Sequence, residues 1–80
     1  MRNFHVHVQL YAYLKRYAGS GDGDLEVELP PGASVAELFA RLEIPPDTPC
    51  VKLVNGRHAK LETGLCNGDR ITLFPAMEGG

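Results

Sequence analysis

The residues of this 80-residue chain best suited to chemistry are its last two, Gly79 and Gly80, at the end of the segment Phe74-Pro75-Ala76-Met77-Glu78-Gly79-Gly80. Glycine has no Cβ, so such a pair is slender and adopts backbone angles closed to other residues. It suits a segment that threads a narrow channel and brings an α-carboxylate to a reactive centre. A terminal carboxylate, with a reference pKa of about 3.3–3.7, is ionised at neutral pH without a base. It can attack a nucleotide phosphate and become an acyl-adenylate. The tail is therefore the expected chemistry, and the domain before it the means of presenting that tail.

No other set of residues makes a comparable case. His5 and His7 share one face of an alternating segment, but two imidazoles do not complete a metal site, so no metal is expected. Cys50 and Cys66 are too few for a secreted disulfide scaffold, and free cysteine usually serves as a small buried hydrophobe rather than a sulfur relay. Asp22 and Asp24 lack the remaining ligands and closing Glu of a calcium loop. Gly19-Ser20-Gly21 leads into a strand pattern, not the helix a phosphate cradle requires. Ser20 and Ser34 have no base partner.

Composition excludes several classes. The chain is 44% apolar and 22% charged, with a net charge of −2 from eight basic and ten acidic residues. It carries no basic block for nucleic acid and no acidic run. No apolar stretch approaches the roughly 20 residues of a membrane helix, and the alternating start Met1-Arg2-Asn3-Phe4-His5 is unlike a signal peptide. The expectation is a single cytoplasmic domain with no nucleic-acid or membrane partner.

The elements that must position the tail follow from periodicity. Phe4, Val6, Val8 and Leu10 alternate with His5, His7 and Gln9, which predicts a half-buried strand. Leu10, Leu14 and Tyr17 at helical spacing predict one or two turns over Tyr11–Ala18, stopped by Gly19. Leu25, Val27 and Leu29 predict a second strand with an acidic face. Ser34 and Glu37 are spaced as a capping box, and Val35, Leu38, Phe39 and Leu42 form the apolar stripe of the main helix. Ile44-Pro45-Pro46 closes it. Val51–Val54, the hairpin turn Asn55-Gly56 and a short return over Arg57–Lys60 follow. Leu61–Asp69 reads as a loop with Leu65 inward. Arg70–Phe74 is the last strand, which Pro75 should end. The expected boundaries are a domain over 1–75 and a flexible tail over 76–80. One main helix on one face of a four- to five-stranded mixed sheet, with a short helix after the first strand, gives an α+β fold.

Segments in this order resemble the MoaD/ThiS sulfur carriers: Pro30-Pro31-Gly32-Ala33-Ser34-Val35-Ala36-Glu37-Leu38, Val54-Asn55-Gly56, Asn67-Gly68-Asp69-Arg70-Ile71, and the tail from Phe74 to Gly80. The resemblance spans nearly the whole chain. It implies a β-grasp, ubiquitin-like fold whose first and last strands pair in parallel at the sheet centre. It implies a protein co-substrate rather than an enzyme. An E1-like adenylating partner would consume ATP, with magnesium, to activate the Gly80 carboxylate, and a persulfide donor would then yield a C-terminal thiocarboxylate. This chain itself would bind no cofactor.

Acceptors implied by the resemblance are a molybdopterin-synthase large subunit or a thiazole synthase. The Tyr11–Ala18 turn favours molybdopterin (molybdenum or tungsten cofactor) synthesis over thiamine synthesis. Met77 and Glu78 stand where many molybdopterin-synthase small subunits carry a second proline and a small residue. Two further readings are a ubiquitin-like modifier conjugated to lysines and a β-grasp interaction domain with an incidental tail. If Phe4, Val6, Val8, Ile71, Leu73, Val51 and Leu53 face the helix, then Val54 and Phe74 fall on the open face. The expected partner-binding set is Val54, Phe74, Pro75, Met77 and Glu78.

Overall fold

Seven residues of alternating polarity extend as strand β1, Phe4–Leu10, and bury Val6, Val8 and Leu10 on one side. β2 is Asp24–Leu29, helix α1 is Val35–Leu42, β3 is Cys50–Val54, β4 is Arg57–His58 and β5 is Arg70–Pro75. This computed structural model describes residues 2–19 and 22–76. The strands form one sheet in the order β2-β1-β5-β3-β4. β1 and β5 pair in parallel at its centre, and the other neighbours are antiparallel. This is the β-grasp arrangement that the resemblance implies, with five strands.

The core lies between the sheet and α1. Val35, Leu38 and Phe39 of the helix are buried with Val6, Val8, Leu10, Leu29, Ile71 and Leu73 of the sheet. Leu65 tucks in from the loop before β5, as its isolated apolar character suggests. Removing a side chain such as that of Leu73 would cost about 2–5 kcal/mol in lost burial and cavity formation.

The turn after β1 is a 3₁₀ helix, Ala12–Ala18, ended by Gly19 in the left-handed region. It seals the core with Leu14 and is locked from beneath by Gly23. The Leu10 N–H donates to the Gly23 carbonyl at 2.7 Å. Gly23 has φ +73°, and a Cβ there would collide with the Leu10 carbonyl oxygen. Only glycine satisfies both conditions.

Three local expectations need correction. Ser34 is the N-cap of α1, but its side chain makes no capping hydrogen bond. Backbone carbonyls of the crossing loop cap the helix instead: the Val35 N–H donates to Thr63 (2.9 Å) and the Ala36 N–H to Leu61 (2.8 Å). Tertiary backbone bonds thus satisfy N–H groups left free at a helix start. The helix also stops before Ile44-Pro45-Pro46 can act, because Glu43 turns left-handed (φ 61°) and the Ile44 N–H returns to the Phe39 carbonyl. Finally, Pro75 is the last paired residue of the final strand rather than the first residue beyond it. It pairs with Cys50, and the Ala76 N–H reaches the Pro49 carbonyl at 3.3 Å. Proline is tolerated as the last residue of a strand, where a missing N–H breaks little of the ladder.

Candidate functional site

β5 carries the candidate chemistry, since the chain leaves the sheet centre at its C-terminal end. Met77, Glu78, Gly79 and Gly80 lie outside the described residues, so the site is read from the surface at the root of the tail. Register assigns each residue there to a face. Directly paired residues share a face, and alternation carries that assignment along each strand.

The face away from α1 is built in cross-strand rows. His7 pairs with Glu26 on β2 and with Arg70 on β5. One row nearer the tail, Gln9 pairs with Asp24 and Thr72, and Thr72 with Leu53, which pairs with His58. In the next row Phe74 pairs with Val51. Tyr11 completes that row. The parallel ladder runs from the His7 N–H to the Asp69 carbonyl (2.9 Å) and reappears from the Tyr11 N–H to the Leu73 carbonyl (3.1 Å). Tyr11 is extended, so it stands opposite Phe74 as His7 stands opposite Arg70. The open face is therefore graded: aromatic and aliphatic at the tail root, charged towards the start of β5.

This register corrects the face assignment of two residues of the expected partner-binding set, Val54 and Pro75. Val54 pairs with the buried Ile71, packs against the core and lies at the end of β3 furthest from the tail. It belongs to neither the open face nor the tail root. Val51 and Leu53, expected to face the helix, occupy the open face instead. Lys52 is the cause. Its charge suggests an outward residue, yet it pairs with the buried Leu73, and its ammonium lies 5.9 Å from the centre of the Phe39 ring. A lysine stem can lie along apolar surface while its head reaches solvent. Pro75 pairs with Cys50 and shares its helix-side face. Phe74 keeps its place on the open face, and Met77 and Glu78 fall outside the described residues. Tyr11 was missed because its sequence neighbourhood reads as the start of a turn. The signal was the odd-numbered series His5, His7, Gln9, carried one residue further.

Two of the four segments behind the family resemblance, Val54-Asn55-Gly56 and Asn67-Gly68-Asp69-Arg70-Ile71, meet at the opposite end of β5. The Asn55 amide donates to Asp69 Oδ1 and its carbonyl oxygen accepts the Arg70 N–H, both at 2.9 Å. Asp69 Oδ2 accepts the Cys66 N–H at 2.8 Å, and Asn67 Oδ1 accepts the His5 N–H at 3.0 Å. These side chains fasten β1, β3 and β5 to one another. They replace ladder bonds where the strands diverge and hold the register. A shallow cleft beside them is lined by Val54, Asn55, Arg57, His58, Ala59 and Thr63.

Among the remaining polar candidates, His7, Asp24 and Asp22 have structural partners. His7 Nε2 meets Asp24 Oδ1 across β1 and β2, and the Asp24 N–H donates to Asp22 Oδ1 at 3.1 Å. Among the described residues, no group of three or more His, Cys, Asp and Glu side chains could hold a metal ion. Cys50 and Cys66 are both free thiols. Burial pushes the Cys50 thiol up, against a smaller pull from the Lys52 ammonium, so at neutral pH it is the protonated, weakly nucleophilic form. No helix among the described residues is long and apolar enough to cross a membrane.

Comparison with known proteins bears on what such a tail root serves. The sequence model of the ThiS family matches residues 8–80. No curated protein sequence matches the chain. Among solved structures, a Pyrococcus furiosus protein designated molybdopterin converting factor, subunit 1, superposes with a TM-score of 0.76 at 26% identity, covering 92% of this chain and 99% of that one. Small archaeal modifier protein 1 of H. volcanii superposes at 0.73 with 24% identity and the same coverages. A complex of subunits 1 and 2 of the molybdopterin-converting factor from Helicobacter pylori 26695 gives 0.64 at 23% identity, covering 96% and 100%.

Proposed function

Since this chain belongs to the ThiS family, we propose that it is a sulfur carrier acting through the carboxylate of Gly80. An E1-like adenylating enzyme transfers AMP from magnesium-bound ATP to that carboxylate and releases pyrophosphate. A carboxylate is a poor electrophile, and its mixed anhydride with phosphate is a good one. The outer sulfur of a cysteine persulfide then attacks the Gly80 carbonyl and displaces AMP. A second thiol cleaves the resulting S–S bond and becomes the disulfide partner, leaving the thiocarboxylate on Gly80. The carrier is consumed and regenerated as a co-substrate, and the catalytic groups belong to its partners.

The observation that carries this reading is that the family match runs through Gly79-Gly80, on a chain whose central strand leads directly towards those residues. Delivery of sulfur to molybdopterin synthesis, in the cytoplasm, is the pathway we favour. Two proteins of this fold are named as subunit 1 of a molybdopterin-converting factor, one of them in complex with a subunit 2. The other proposed acceptor, a thiazole synthase, would use the same thiocarboxylate.

The test is to incubate the chain with the organism's adenylating enzyme, ATP, magnesium and a persulfide source, and to weigh the intact protein. A sulfur-for-oxygen mass gain that requires ATP is expected. Removing Gly79 and Gly80 should abolish it and leave the melting temperature unchanged. Isopeptide adducts on lysines without thiocarboxylate would replace the carrier reading with that of a protein modifier. An unaltered mass under all conditions would overturn both.

A further inference from the structure

We infer that the free edge of β2 is a strand-addition site for an extended segment of another protein, one that carries Lys or Arg at every second position and apolar residues between them. The site stands apart from the carboxylate chemistry and goes beyond the carrier reading.

The first observation is an unfilled row of backbone groups. β2 lies at one end of the sheet and pairs with β1 alone. In an antiparallel pair, successive residues turn their N–H and C=O groups towards the neighbour and then away from it. The Leu10 N–H donates to the Gly23 carbonyl and sets the phase, so Leu25, Val27 and Leu29 turn towards β1. Asp24, Glu26 and Glu28 turn outward. Asp24 bears this out, since its N–H is taken by the Asp22 carboxylate rather than by β1. Glu26 and Glu28 are exposed, and among the described residues no hydrogen bond reaches their outward backbone groups. Such a row is a template for another strand.

The second observation excludes a further copy of this chain as the occupant. The opposite edge of the sheet, β4, is two residues long. Just beyond it, the Lys60 N–H donates to the Thr63 hydroxyl (2.9 Å) and the Lys60 carbonyl accepts the Thr63 N–H (3.0 Å). The Ala59 N–H turns inward to Lys52, so His58 is left as the one outward residue of that edge. Pairing β2 with β2 would set acidic residues opposite acidic residues, and like charges in that position destabilise a sheet.

The third observation gives the chemistry of the partner. The side chains that β2 places on the open face are Asp24, Glu26 and Glu28, all exposed and all acidic. His7 meets Asp24, and the Asn3 amide donates to Glu28 at 2.9 Å. Among the described residues, neither Glu26 nor Glu28 forms an ion pair with Lys or Arg. Residues of an added strand opposite Glu26 and Glu28 share their face, so a cation at each meets a carboxylate. The residues between them fall on the helix side, beside Leu25 and Val27, which are half-buried at the margin of the core. Apolar side chains there extend that core. Main-chain bonds thus supply affinity and alternate side chains supply selectivity. With strands about 4.8 Å apart, the added strand lies about 14 Å from β5, beyond β1 and β2, and leaves the end of β5 uncovered.

The experiment titrates the isotopically labelled full chain with a short peptide of alternating lysine and valine and follows its amide resonances. Saturable binding is expected, with slowed hydrogen exchange at the Glu26 and Glu28 amides. N-methylation of the lysines, whose N–H groups face β2 in this register, should weaken binding about 10-fold through lost ladder bonds. N-methylation of the valines, whose N–H groups point away, should cost less than about threefold on the same grounds. The E26K/E28K variant should bind the lysine peptide about 10-fold more weakly and prefer a peptide of alternating glutamate and valine. Equal weakening by the two methylations would show charge attraction without strand addition and overturn the proposal. Absence of saturable binding would overturn it as well, leaving the glutamates as guards of a bare edge. Protection of the same amides by self-association of the free chain would give the edge to a second copy and overturn the proposed occupant.

Discussion

The two ends of β5 are built from opposite materials. At its start, Asn55, Asn67 and Asp69 bind backbone groups of β1, β5 and the intervening loop, closing the sheet with hydrogen bonds between parts distant in sequence. At its finish, Tyr11, Phe74 and Val51 stand in one outward row of the sheet. The first end spends its polar groups on its own fold. The second leaves apolar surface available beside the tail. Two of the segments that resemble the family thus serve to set register, while the outward surface at the tail root is made of apolar residues with no motif of their own.

This contrast can be broken by exchanging consequences between the ends. The largest effect is expected from D69A, which removes the acceptor for both the Asn55 amide and the Cys66 N–H. At about 1 kcal/mol for each lost bond, plus the cost of unpaired donors, stability should fall by about 2–3 kcal/mol in urea titration. Thiocarboxylate formation per folded molecule should be unchanged. A loss of affinity with intact stability would place function at the wrong end.

A smaller and opposite result is expected from F74A. Affinity for the adenylating enzyme should drop about 10-fold, equivalent to about 1.4 kcal/mol, with little change in stability. V54A sharpens the point. It should lower stability by about 1 kcal/mol through lost packing and leave affinity alone, because that side chain faces the core. If V54A impaired docking instead, the register assignment of β3 would be in error.

The smallest effect concerns Cys50, at the helix-side level of Pro75. Burial pushes its thiol up, so its alkylation by iodoacetamide should be slow at neutral pH and accelerate in alkali. A thiol that holds its proton more tightly when folded favours the native state at lower pH. That contribution is lost as pH rises through its folded value, so melting temperature should decline slightly in strong alkali. The C50A variant should lack this decline.

Much of this molecule is legible along the chain. Alternation located β1, β2 and β5, and the 3.6-residue stripe of Val35, Leu38, Phe39 and Leu42 located α1, because a single buried face imposes its period on the sequence. Asn55-Gly56 fixed the hairpin, both residues having positive φ. β3 resisted the same treatment. Cys-Val-Lys-Leu-Val carries apolar residues at both parities, so no local pattern says which set is inward, and a slip of one residue reverses every side chain. The capping of α1 was equally hidden, since Thr63 and Leu61 reach it from about 25 residues away and through carbonyls that every residue possesses.

The amino-acid order by itself determined the elements, the family and the glycine pair proposed to carry the chemistry, since each depends on neighbours within one turn or one strand. The tertiary structure alone decided which side of β3 faces outward and that Tyr11 stands beside Phe74. Those facts depend on how strands remote in sequence pair, and backbone hydrogen bonds carry no side-chain signature by which pairing could be read in advance.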